Sequence, residues 1–372
     1  MFHVPGFSVA FVLLTFFQSL EICAAQTSNH WKRLPDLPDK LGVAGAFAGV
    51  SGGALIVAGG ANFPDKPPWE GGKKVYYDDV YVLTNGATYW LHSGKYPHPV
   101  AYGISLPTSN GAIWLSGSDS EKTFADTYEM FWNGSAVILN GRPPLREPVA
   151  NACGAILEVN HPPGNRRNGY HVTNKIVVGG EASPNCTIAL TNAWSDLRIP
   201  GIEFGESNSI SQYWWGTIPG CPGPGRTLAV TATLESYFFV IGGVSLSAGS
   251  NGNPVRQYLR SAYILDLLNM RWLRIADLPF AIAASPSPAA TVNGKIVVFG
   301  GDDAPSADPK THKGFRDEML EYNPALNEWS IIGHMPEPRA TAPVVFWNGG
   351  YVIVSGEVRR GVRSPEVWMW TP

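Results

Sequence analysis

Charge is scarce in this chain: Asp, Glu, Lys and Arg make up 15% of 372 residues, and the formal net charge is -3. A balance so close to neutral leaves no basic patch of the size that a nucleic-acid backbone requires, so no nucleic-acid partner is expected. Cysteine is scarcer still, at 4, which excludes a disulfide-dense scaffold. No stretch carries sustained helical periodicity, which argues against a bundle or a mixed α/β fold. The 8 histidines are scattered, His92, His98, His161, His171, His312 and His334 among them. Metal-ligand spacing, a phosphate loop and a nucleophile elbow are all missing, so no metal and no cofactor are expected.

What is abundant is apolar and turn-forming: 44% hydrophobic residues, Gly 41 and Pro 31, the composition of an all-β protein with many turns. Six times an apolar, β-branched run breaks on a pair of small residues: Gly59-Gly60, Ser116-Gly117, Gly179-Gly180, Gly242-Gly243, Gly300-Gly301 and Ser355-Gly356. Repetition at roughly sixty residues is the sequence signature of propeller blades with loops of varied length. The clearest unit runs from Ser285 to Ile332. Its strands are predicted at 288–292, 295–299, 318–322 and 329–332, with Asn293-Gly294 as a hairpin turn.

The last unit reaches a third strand at 366–370 and stops, whereas the segment His30 to Pro35 reads as a fourth strand without a blade. Joining the two closes a six-bladed kelch-type β-propeller and removes exposed sheet edges. One domain is therefore expected over residues 26–372. The apolar run Phe7 to Leu20, followed by Cys23-Ala24-Ala25, reads as a signal peptide over residues 1–25. The run is shorter than the ~20 residues of a membrane span. Export to a periplasmic or extracellular space is expected, with no membrane attachment after cleavage. Of the remaining Cys153, Cys186 and Cys221, the last two flank a long excursion and are the expected pair if one forms.

In such a blade the loop after the second strand shares a rim with the loop leading into the first. This places Asn62, Glu181, Asp302 and Glu357 on one face with Tyr102, Arg146, Arg226 and Arg339. The three arginines have two readings. They brace blades, or their guanidinium forks converge on the channel mouth to bind a carboxylate. The densest ionisable cluster is Ser355 to Arg363, in which Glu357 and Arg363 form a candidate acid/base pair: desolvation raises a carboxyl's pKa and a nearby guanidinium lowers it. The long loop Asn62 to Lys74 is a candidate lid or binding loop.

Two propeller enzymes are argued against. A copper radical oxidase needs paired histidines and tyrosines, and a sialidase needs repeated Ser-x-Asp-x-Gly-x-x-Trp boxes; neither pattern is present. The words GVAGAFAGV (42–50), ALIVAGGANF (54–63), GGKKVYYDDVYV (71–82) and AYGISLP (101–107) instead resemble the N-acetylneuraminate epimerase, or sialic acid mutarotase, family of kelch propellers. In better-known members these words lie near the C-terminus and the glutamate-arginine turn lies mid-chain, so the resemblance implies cyclic permutation. It further implies that Glu357 and Arg363 are catalytic, that arginine holds the sugar carboxylate, and that α and β anomers of N-acetylneuraminate or a related sugar acid interconvert. Asn62, Tyr102, Arg146, Glu181, Arg226 and Arg339 are the expected substrate-binding residues. Two of the family's rim cations are replaced, by Val100 and by the 281–284 stretch. The alternative is a non-catalytic kelch module that binds a glycan or protein through the same face.

Overall fold

A computed structural model describes residues 30–161, 170–196, 215–303 and 310–372. The expected leader (1–25) lies outside these residues. The body Trp31–Pro372 forms one compact unit. Among the described residues the helical content is one 3₁₀ turn, Pro68–Glu70.

Six four-stranded antiparallel sheets follow one another. Blade one consists of Phe47–Ser51, Ala54–Ala58, Asp79–Leu83 and Leu91–Lys95, and blade five of Ala290–Val292, Lys295–Gly301, Arg316–Asn323 and Glu328–His334. The second strand of blade one, Ala54–Ala58, is apolar on both faces and buried throughout, because it lies between two neighbouring strands and two neighbouring blades. Fourth strands such as Glu328–His334 are largely exposed, Ile331 and Ile332 included. At Asn293-Gly294 both φ angles are positive, 49° and 74°, as the tight hairpin requires.

Blade six is completed from the other end of the chain: Trp31–Leu34 pairs antiparallel with Val367–Trp370, Trp31 opposite Trp370. The apolar filling continues across this seam. Val352, Val354 and Val367 of blade six form one cluster with Leu55, Val57 and Leu83 of blade one and with Leu34. Burial of each such side chain contributes roughly 1.5–3 kcal/mol, so the seam is held by the same force as the other blade interfaces.

The small-residue doublets turn out to be hydrogen-bonding devices. Both residues of all six have positive φ, from 47° at Gly300 to 106° at Gly301. The second N–H of each donates to the carbonyl just ahead of the next blade: Gly60 to Val100, Gly117 to Val149, Gly180 to Arg226, Gly243 to Ile282, Gly301 to Arg339 and Gly356 to Val43. The second position excludes a side chain. A Cβ on Gly180 would lie 2.4 Å from a Val149 methyl and 2.7 Å from the Ala150 carbonyl oxygen. Where serine takes the first position in blade six, its hydroxyl compensates: Ser355 Oγ accepts from the Val43 N–H and lies 2.7 Å from the Ser364 carbonyl.

A second sixfold feature surrounds the axis. Gly45 donates to Thr341, Thr341 to Ala284, Ala284 to Leu228, Leu228 to Asn151, Asn151 to Tyr102 and Tyr102 back to Gly45, with N···O distances of 2.6–2.9 Å. All six residues of this closed collar have left-handed φ, between 49° and 68°. The collar satisfies backbone groups that the channel would otherwise leave unpaired.

Candidate functional site

The residue after each doublet bridges back to the entry of its own blade: Ala61 to Ala44, Ser118 to Ala101, Glu181 to Ala150, Val244 to Thr227, Asp302 to Ala283 and Glu357 to Ala340. These are six equivalent stations around one mouth of the channel. Three hold carboxylates, Glu181, Asp302 and Glu357. From three doublets a two-stranded arm rises beyond the station: Ala61–Asn62 with Val75–Tyr76, Val244–Ala248 with Pro254–Tyr258, and Glu357–Arg359 with Val362–Arg363.

Stations and arms surround a cavity of about 500 Å³, the size range of a small-molecule site. Its floor includes collar residues Tyr102, Asn151, Leu228, Ala284 and Thr341. Its walls carry Lys74, Tyr76, Glu181, Arg256, Tyr258, Asp302, Glu357 and Arg360. Below the collar a second cavity of about 100 Å³ is lined mostly by small residues of the first strands, including Ser105, Cys153, Ser285 and Ser287.

Glu357 and Arg363 meet where the tight turn of the blade-six arm brings them opposite each other in register. Arg363 Nη2 lies 2.6 Å from Glu357 Oε1, with the arginine side chain 3% exposed and the glutamate 14%. Arg363 also donates through Nε to the Ala61 carbonyl and lies over the Phe63 ring, 4.7 Å from its centroid. The long blade-one loop therefore forms a wall of this turn. Arg359 stacks on Trp69, and a Cβ on Gly361 would collide with Pro68 at 2.6 Å.

A second ionic cluster stands on the neighbouring blade. Arg360 donates to Asp302 Oδ2 at 3.0 Å and to the Tyr258 hydroxyl at 2.7 Å, while Tyr258 donates to Asp302 at 2.6 Å. Burial pushes the Tyr258 phenol well above its ordinary range, reinforced by Asp302. His312, buried and 3.8 Å from Asp302, is pushed down by desolvation against the pull of that carboxylate. Glu181 accepts from the Thr227 hydroxyl at 2.9 Å.

The structure redistributes the other sequence-predicted residues. Tyr102 and Glu181 line the cavity. Asn62 does not. The station is Ala61, one residue earlier, and the Asn62 amide turns inward, 1% exposed, donating to Asp39 and the Gly42 carbonyl and accepting from Tyr77. Arg226 and Arg339 are likewise corrected: each is 1% exposed and neither reaches the cavity. Arg226 donates to the carbonyls of Gly242 and Ser261, and Arg339 to Glu366 at 3.0 Å and to Ser364. They are blade braces, because the residue whose carbonyl receives the doublet N–H has its side chain buried between strands. Val100, Val149 and Ile282 occupy the same place, so Val100 and the 281–284 stretch cost the mouth no cation. Arg146 lies three residues ahead of Val149, is exposed and is absent from the cavity wall. Cys186 and Cys221 are not bonded; all three described cysteines are free thiols.

Sequence reasoning missed Lys74, Tyr258 and Arg360. Lys74 and Arg360 stood inside quoted segments as unassigned charges. Tyr258 carried no signal, since only the paired arm of blade four brings it to Asp302.

Residues 18–139 match the family model of N-acetylneuraminate epimerase. The N-acetylneuraminate epimerase of Vibrio cholerae is 37% identical over 123 residues, 29% of this chain and 32% of the relative. That of Yersinia enterocolitica is 36% identical over 132 residues, 30% and 32% of the two chains, and that of Escherichia coli O157:H7 38% over 102 residues, 24% and 27%. The match thus spans between a quarter and a third of the length of these curated relatives. The solved structure "Structure of YjhT" superimposes with a TM-score of 0.63 over 91% of this chain and 97% of that one, at 13% identity, a likeness of fold. Over residues 18–139 the chain is similar to the N-acetylneuraminate epimerase family, and over the whole propeller it shares the fold of that solved structure.

Proposed function

We propose that this protein is an exported mutarotase that interconverts the α and β anomers of N-acetylneuraminate or a related sugar acid, and that it is a permuted member of the epimerase family. One observation carries the reading. Glu357, paired with the nearly enclosed Arg363 guanidinium at 2.6 Å, lines a channel-mouth cavity of about 500 Å³.

Ring opening removes a proton from the anomeric hydroxyl and places one on the ring oxygen; closure on the other face of the carbonyl reverses both. Glu357 is the group that accepts and returns the proton, an effect worth ~10²–10⁴ in rate. Arg363 acts on Glu357 rather than on the sugar, for its exposed fraction is only 3% and its Nη2 is committed to Oε1. It fixes the carboxylate's direction, as does the Gly361 N–H at 3.4 Å from Oε2.

Saturation-transfer NMR of anomer exchange tests the proposal. Glu357→Gln keeps the size of the side chain and should lower exchange by ~10²–10⁴. Exchange at the wild-type rate in that variant would sink the assignment. Ligand binding by a wild-type protein that leaves exchange unaccelerated would favour the non-catalytic module instead.

A further inference from the structure

A 2-keto sugar acid such as N-acetylneuraminate carries its carboxylate on the anomeric carbon, so its binding site needs a cation close to the proton-handling group. The cations at this mouth are mostly spoken for. Arg363 is held by Glu357 and the Ala61 carbonyl, and Arg360 by Asp302 and Tyr258. Arg226 and Arg339 are buried braces. Two cavity-lining cations, Lys74 and Arg256, have no carboxylate within salt-bridge distance among the described residues.

These two differ in what surrounds them. Arg256 lies on the blade-four arm with Tyr258, on the side of the Asp302–Arg360 cluster. Lys74 closes the long blade-one loop and lies beside the Glu357–Arg363 turn. Its Nζ is 5.9 Å from the centroid of Phe63, the same ring that Arg363 covers at 4.7 Å. The ammonium is also 4.9 Å from the Tyr102 centroid, 6.0 Å from that of Tyr76, and donates to the Tyr102 hydroxyl at 3.1 Å. Three aromatic rings and the Tyr102 hydroxyl thus surround the ammonium, while no carboxylate lies within salt-bridge distance of it among the described residues.

We propose that Lys74 is the carboxylate-binding, specificity-determining residue of the site: it selects acidic sugars and turns the anomeric centre toward Glu357. This rests on the function proposed above. Tyr102 is part of the same device. Its left-handed backbone, φ 62°, belongs to the axial collar, so the phenol that positions the ammonium is carried by a residue hydrogen-bonded on both sides in that closed ring.

The test is equilibrium titration of the full chain with N-acetylneuraminate, run separately from exchange NMR, on wild type, Lys74→Met, Lys74→Arg and Arg256→Met. Loss of one charge-assisted contact predicts about 10- to 100-fold weaker binding for Lys74→Met. KM should rise accordingly with a much smaller change in kcat, and Lys74→Arg should recover most of the affinity. Wild-type binding should weaken with added salt, and that dependence should flatten in Lys74→Met. Unchanged affinity in Lys74→Met, or a loss carried by Arg256→Met instead, overturns the proposal while leaving the mutarotase reading standing. A wild type that binds without accelerating exchange overturns the mutarotase reading and leaves the Lys74 comparison intact. A wild type that does not bind the sugar acid overturns both.

Discussion

Arg339 separates a brace from a ligand group, and Arg339→Met distinguishes the two by which observable moves. The guanidinium is 1% exposed and gives up three contacts in the variant: the Pro338 carbonyl, Ser364 Oγ and Glu366 Oε2. Hydrogen bonds to charged groups contribute about 1.5–3 kcal/mol each, and losing one partner of a buried pair costs about 3–5 kcal/mol. Two effects reduce the loss here. Burial pushes the Arg339 guanidinium down from its usual range against the pull of Glu366, so removing the charge also removes a desolvation cost. Glu366 is 19% exposed, and it keeps Arg33 and the Trp368 indole N–H, both at 3.0 Å. A net loss of about 2 kcal/mol is expected, a factor of about 30 in the folded-to-unfolded ratio. Guanidinium chloride unfolding reads it directly, and titration with N-acetylneuraminate should show affinity within about twofold of wild type. Affinity weakened tenfold at unchanged stability would refute the brace and return Arg339 to the ligand.

Two other perturbations probe the frame. Gly180→Ala should be far more damaging than Gly134→Ala, although their φ angles are nearly equal at 98° and 97°. Both accept about 1–2 kcal/mol for a left-handed side chain, but only at Gly180 would the new Cβ meet Val149 and Ala150, at 2.4 and 2.7 Å, while Gly134 faces open space. Overpacking adds about 1–3 kcal/mol, so equal midpoints in denaturant melts of the two variants would contradict the doublet geometry. The thiols should sort by burial, since only the thiolate reacts. Burial pushes Cys153 up to about 12 and Cys221 up to about 11, whereas Cys186 is only partly buried. Iodoacetamide on native protein at pH 8, followed by mass spectrometry, should label Cys186 first; early labelling of Cys153 or Cys221 would be incompatible with this core.

The blade order was legible because it depends on local chemistry. Alternating strands, Asn293-Gly294 turns and small-residue doublets each reflect a backbone requirement met within a few residues. The closing strand could also be read, because an unpaired fourth strand at one terminus and a missing one at the other leave a single complementary pairing. The Glu357–Arg363 pair was visible for the same reason: both residues sit on one tight turn. The rim assignments failed where a shift of one to three residues reverses the direction of a side chain. Asn62 reads as the counterpart of Glu357, yet the bridge to Ala44 puts Ala61 at that station and turns Asn62 into the blade. Arg226 and Arg339 share a sequence position that looks exposed, and the doublet hydrogen bond buries it.

The sequence alone therefore determined the number of blades, from the repeat of the doublets, and their strand order and the turn that holds Glu357 and Arg363, from spacings shorter than a blade. Only the tertiary structure decided which charges face the cavity. Lys74 and Arg363 are almost three hundred residues apart in the chain, and they become neighbours because the ring closes and brings blade one beside blade six over a single phenylalanine. That closure places Lys74 of blade one and Glu357 of blade six on the wall of one cavity, a juxtaposition that no local spacing encodes.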